Sequence, residues 1–72
     1  MNTEHIKEFI LLASNLNFSK AAEDSFISQS SLSKHIRILE KELGAQLFIR
    51  TTRSIRLTEA GIMFLPYAKK II

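Results

Sequence analysis

The sequence predicts a small, mainly α-helical domain with one short β-hairpin, on three observations. Apolar residues recur at helical spacing in the segments before Gly44 and again after Thr58. Each segment follows a side chain able to cap a helix: Asn2 or Thr3, Asn17, Ser28 and Thr58. Between Leu47 and Leu57 the 3.6-residue period stops, and β-branched residues flank the polar stretch Thr51-Thr52-Arg53-Ser54. At 72 residues there is room for one domain, whose core is marginal unless helices pack closely or a partner adds contact.

The first helix gathers Ile6, Phe9, Ile10, Leu12, Ala13 and Leu16 in one arc, with Glu4 in the first turn. Leu11 projects away from that arc and is expected to be exposed, either without a role or helping a subunit contact. A short second helix runs from Phe18 to about Ser25, its Ala21-Ala22 pair letting another helix approach. Ser28 caps a third helix from Gln29 to Leu43, ended by Gly44 where left-handed backbone is wanted. Only Phe26 and Ile27 separate the two, the length of a tight helix-turn-helix connection. Two short strands then bracket a basic turn that lacks Gly. A fourth helix follows Thr58, with Gly61 and Pro66 as weak points and Pro66 expected to kink it.

Composition excludes several classes of function. With 46% apolar and 24% charged residues and a single Pro, the chain is a folded domain rather than a disordered tail. The absence of Cys rules out disulfides, thiolate metal sites and a Cys nucleophile, and two His leave no metal site or other cofactor expected. No apolar run approaches the ~20 residues of a membrane span and no signal-peptide pattern opens the chain, so a cytoplasmic location and no membrane partner are expected. His5 reads as a first-turn surface residue and His35 as a polar flank of the third helix beside no second base. Without a nucleophile motif or a glycine-rich phosphate loop, no enzyme is expected.

Charge is unevenly spread. Residues 1 to 24 carry a net −2, residues 25 to 56 a net +4 and the remainder +1. A basic middle suggests a polyanion, with nucleic acid ahead of an anionic membrane. On the third helix Leu32, Ile36, Leu39 and Leu43 share an arc of roughly 60°, while Gln29, Ser30, Ser33, Lys34, Arg37 and Lys41 share another of roughly 140°. Eight residues from Gln29 to Arg37 span ~12 Å of helix, which a major groove ~12 Å wide admits. Gln suits an adenine edge, Arg and Lys suit guanine O6 and N7, and short Ser side chains permit close approach. Ser28 and the free N–H groups behind it suit a phosphate. Arg50, Arg53 and Arg56 bracket or occupy the hairpin turn. Arg53 at its tip is expected in a narrow minor groove, with Arg50 and Arg56 at the backbone. In the fourth helix Ala60, Met63, Phe64, Tyr67 and Ile71 share one face, and Leu65, Ala68 and Ile72 a second. One face is expected to cover the core and Leu65, Ala68 and Ile72 to pair with the same helix of a second subunit.

Together these residues resemble the N-terminal winged helix-turn-helix of LysR-type transcriptional regulators. The resemblance covers essentially the whole chain: Phe9, Phe18 with Ala21-Ala22, Ser28-Gln29, Ser33, Ile36, Leu39-Glu40, Leu43-Gly44, Leu47-Phe48, Arg50, Leu57-Thr58, Ala60-Gly61 and Ala68. It implies a winged helix-turn-helix over residues 1–57 and the start of a linker and dimerisation helix over residues 58–72. It also implies sequence-specific binding of double-stranded DNA by a homodimer on a two-fold-related operator. Gln29, Ser33, Lys34 and Arg37 become the implied readers, and Arg53 the wing contact. Three positions depart from the family pattern: Ser30 where Pro is common, Ser25 where an apolar residue is usual, and a wing turn without Gly. With Ser25 polar, Phe26 or Ile27 is expected to fill the core. Relatives continue into a domain that binds a small effector, so the chain is expected to be a fragment or an isolated DNA-binding domain. Two other readings are a winged-helix regulator of another family, such as the MarR-like proteins, and a winged-helix module that binds protein. The latter would want an apolar or acidic patch on the third helix, which the arc from Gln29 to Lys41 does not offer.

Overall fold

The computed structural model describes all 72 residues. Four helices and one hairpin follow in the expected order: α1 (Thr3–Asn15), α2 (Phe18–Asp24), α3 (Gln29–Leu43), β1 (Phe48–Arg50), β2 (Ile55–Leu57) and α4 (Glu59–Ile71). The architecture is a winged helix-turn-helix.

Local capping sets each helix start. Asn2 Oδ1 accepts from the amides of Glu4 at 2.7 Å and His5 at 3.4 Å, and Asn17 Oδ1 accepts from Lys20 at 3.0 Å. Ser28 Oγ accepts from Ser31 N at 3.1 Å and Thr58 Oγ1 from Gly61 N at 3.0 Å. Gly44 ends α3 at φ 70° in the left-handed region. Its amide reaches Lys41 O and that of Ala45 reaches Glu40 O, a pairing that satisfies the last carbonyls.

The turn between α2 and α3 uses the same pairing without a glycine. Phe26 N donates to Glu23 O and Ile27 N to Ala22 O, each at 3.1 Å, which puts Phe26 in the left-handed slot at φ 59°. This geometry turns Ile27 onto the core and leaves Phe26 95% exposed. Of the two residues expected to fill the core there, Ile27 does and Phe26 does not. The Ser25 hydroxyl is buried with no hydrogen-bond partner.

All four helices and the start of the wing build one core. Ile6, Phe9, Leu12 and Ala13 of α1 meet Ala21 and Ala22 of α2, Leu32, Ile36 and Leu39 of α3, Leu47 and Phe48 at the wing, and Ala68 of α4. Phe9 is central, its ring 5.5 Å from that of Phe48 and 5.2 Å from that of Phe64. Each fully buried Leu or Ile contributes about 1.5–3 kcal/mol through water-excluded area. Two expectations for α1 change. Leu11 packs half-buried against the core, so it is no free contact, and Leu16 leaves the helical arc as an exposed left-handed cap.

The strands pair antiparallel, Phe48 with Leu57, Ile49 with Arg56 and Arg50 with Ile55. Thr51 closes the turn in place of a glycine: its amide donates to Ser54 O at 2.8 Å, and its hydroxyl oxygen accepts from Arg53 N at 3.3 Å and Ser54 N at 3.0 Å.

α4 runs unbroken from Glu59 to Ile71 through Pro66, which is exposed. Gly61 is a packing site rather than a weak point, because a Cβ there would strike the Leu47 carbonyl and the Leu57 side chain. That contact fixes which face of α4 turns inward and corrects the expected pairing face. Ala68 is 0% exposed inside this chain's own core, and Leu65 packs beside it, so neither is free to meet a second subunit. Ile72 remains exposed, and the open apolar stripe is instead Met63 and Tyr67, both 63% exposed, continued by Ile71.

Candidate nucleic-acid interface

α3 presents two chemically opposite sides. Leu32, Ile36 and Leu39 are fully buried, with Leu43 half-buried beside them. Gln29, Ser30, Lys34, Arg37 and Lys41 are exposed on the other side, with Ser33 half-buried among them. The Ser28 hydroxyl is occupied by capping and by contacts of 3.1 Å with Ser30 Oγ and 3.0 Å with Ser31 Oγ, so it orders the helix start.

An open cleft of about 570 Å³ lies between the start of α2, the first turns of α3 and the wing. It is lined by Asn17, Phe18, Gln29, Ser30, Ser33, Arg50, Thr51 and Arg53, among others. Five of the expected site residues, Gln29, Ser30, Ser33, Arg50 and Arg53, are thus brought to one concavity. Arg37 lies outside it, in a second recess with Glu40, Gln46, Phe48, Ile49 and Arg50. Lys34 is exposed and lines neither.

Ion pairing divides the cations by region. Lys7 pairs with Glu4 at 3.7 Å and Lys20 with Asp24 at 3.2 Å, both on the acidic first third of the chain. Lys34, Arg37, Lys41, Arg53 and Arg56 pair with no carboxylate, and neither do Arg50 or, at the end of α4, Lys69 and Lys70. A row of cations without internal partners keeps its full attraction for an external anion.

Arg50 differs from them. Its Nη1 donates to Ser33 Oγ at 2.7 Å, and its guanidinium carbon sits 4.5 Å from the centre of the Phe18 ring. Burial is the main influence that lowers its pKa from the ordinary arginine value; the Glu40 charge opposes this and the Arg37 charge adds to it. Arg50 therefore stands in the seam between wing and α3, where it remains exposed and lines both recesses.

Glu40 has a role that helical periodicity does not reveal. Its Oε2 accepts from Leu47 N at 2.7 Å and Phe48 N at 3.3 Å, tying the base of the wing to α3. A lone acid on an otherwise cationic arc was the available signal. The histidines also differ from expectation. His35 Nδ1 lies 2.7 Å from Oε1 of Glu8, a carboxylate only 6% exposed, and the His35 ring stacks on His5 at 4.3 Å. These three join α1 to α3 and line neither recess. No group of three or more His, Cys, Asp or Glu side chains is arranged to hold a metal ion. No helix is long and apolar enough to cross a membrane.

Known proteins share this chain's sequence and shape. The family described as bacterial regulatory helix-turn-helix protein, lysR family, matches residues 3–62. The HTH-type transcriptional regulator HdfR of Yersinia enterocolitica is 44% identical over all 72 residues, which cover 25% of that protein. The chain thus spans about a quarter of the length of such relatives. Vibrio fischeri DarR, solved in complex with DNA, superposes with a TM-score of 0.94 at 35% identity, over 99% of this chain and 24% of that one. The BenM DNA-binding domain in complex with catB site 1 DNA gives 0.91 at 38% identity, over 99% of this chain and 80% of that one.

Proposed function

The chain belongs to the lysR family of bacterial regulatory helix-turn-helix proteins, and from that premise we propose that it binds double-stranded DNA sequence-specifically as the DNA-binding part of a transcriptional regulator. α3 enters a major groove and the wing meets the adjacent minor groove. One observation carries this reading: five of the seven cations without internal partners lie on α3 and the wing, beside amide and hydroxyl groups able to read base edges. That DarR and BenM relatives were solved with DNA supports it.

Gln29, Ser33, Lys34 and Arg37 are the proposed readers, with Ser30 close to the same edges. The start of α3, ordered by Ser28, faces a phosphate, and Arg53 enters the minor groove. Residues 1–57 form the binding unit and residues 58–72 begin a helix that pairs two subunits. The stripe of Met63, Tyr67 and Ile71 is the proposed pairing surface, since a row of exposed apolar side chains gains most by meeting its own copy. An effector would act through parts of the protein beyond these residues. DNA as partner implies action in the cytoplasm, and the chain works as a regulator rather than a catalyst.

Selection of bound duplexes from a random pool tests this reading. The expected product is a pair of half-sites related by a two-fold axis, with affinity falling steeply as salt rises. Enrichment of no sequence together with a salt-independent signal would refute it.

A further inference from the structure

Ser33 faces the cleft together with Ser30, Thr51 and Ser54, and a hydroxyl, which can either donate or accept, reads ambiguously by itself. One lone pair of the Ser33 hydroxyl is filled by the 2.7 Å hydrogen bond from Arg50 Nη1. Its own O–H makes no hydrogen bond within the chain, not even to the carbonyl of Gln29 one turn back. A hydroxyl that accepts from a cation becomes a better donor and a poorer acceptor. Phe18 beneath the guanidinium holds Arg50 in that position.

We propose that Arg50 is a specificity-determining positioning residue, which acts through Ser33 by fixing the Ser33 hydroxyl as a donor aimed at an acceptor base edge. The acceptors available in a major groove are purine N7, guanine O6 and thymine O4, while the amino groups of cytosine and adenine are disfavoured there. The positive charge of Arg50 beside the hydroxyl favours the same choice. This inference rests on the DNA-binding reading above and adds to it the chemistry of one recognised position.

The test is duplex selection with the unaltered protein, Ser33→Ala, Arg50→Met and the double variant, each checked for its melting transition. Methionine keeps an apolar stem against Phe18 but removes the donor and the charge. Ser33→Ala identifies the base pair concerned as the one whose preference it flattens. The expected preference there is for an acceptor edge by about tenfold, lost equally in Arg50→Met, with the double variant no worse than either single one. Retention of that preference in Arg50→Met overturns the proposal, as does an even loss across all positions, which would mean that Ser33 meets a phosphate. A preference for cytosine N4 at that position overturns it as well. In each of these cases the unaltered protein still selects a site, so the DNA-binding reading survives; that reading fails separately if the unaltered protein selects none.

Discussion

α3 and α4 make an informative pair. Both are amphipathic, of 15 and 13 residues, and both turn an apolar face onto Phe9 and its neighbours. Their outer faces differ. α3 shows amides, hydroxyls and unpaired cations to solvent, whereas α4 shows Met63, Tyr67 and Ile71, with cations only at its end, Lys69 and Lys70. An inner face reports only that a helix belongs to a core, and the outer face reports what the helix meets. By that criterion α3 suits a polyanion, and α4 suits another protein surface.

Substitutions on the four faces can break or sharpen this contrast. Ile36→Ala, on the inner face of α3, should lower unfolding free energy in denaturant titration by about 2–5 kcal/mol, because a fully buried side chain leaves a cavity. Gly61→Ala, on the inner face of α4, should cost about 1–3 kcal/mol by forcing the helix away from the Leu47 carbonyl. A melting temperature unchanged by Gly61→Ala would show that α4 is loosely seated. On the outer face of α3, Arg37→Ala should leave stability alone and weaken binding to the preferred duplex by ~1–3 kcal/mol, with relaxed choice at one base pair. Uniform weakening on all sequences would reduce Arg37 to a phosphate contact. Tyr67→Ser, on the outer face of α4, should change stability of the single chain by no more than about 0.5 kcal/mol. It should nonetheless shift the protein toward monomer in sedimentation, and an unchanged association would move the pairing surface elsewhere.

Helix limits were legible in the sequence because caps are local. Asn17, Ser28, Gly44 and Thr58 each act within a few residues of where they stand. The buried arc of α3 was equally legible, since Leu32, Ile36 and Leu39 form its only coherent apolar stripe. α4 carries two such stripes, and periodicity has no means of choosing between them. The choice is made by the close approach of Gly61 to the Leu47 carbonyl, a contact between residues 14 positions apart. Arg50 escaped for the same reason: its partners Ser33 and Phe18 are 17 and 32 positions away, and only the folded seam brings them together. Likewise Glu8 and His35 seemed unrelated until α1 packed on α3.

Thr58 joins more than it caps. Its amide donates to Leu47 O at 2.9 Å, its hydroxyl donates to Gln46 O, and the same oxygen receives Gly61 N at the start of α4. The amides of Leu47 and Phe48, on the opposite side of that strand entrance, are held by Glu40 of α3. α3, the root of the wing and the first turn of α4 are therefore bolted to one three-residue bracket, Gln46 to Phe48. A change in the direction of α4 would be felt at the root of the wing and at α3 through hydrogen bonds to the backbone, and not only through the packing of side chains.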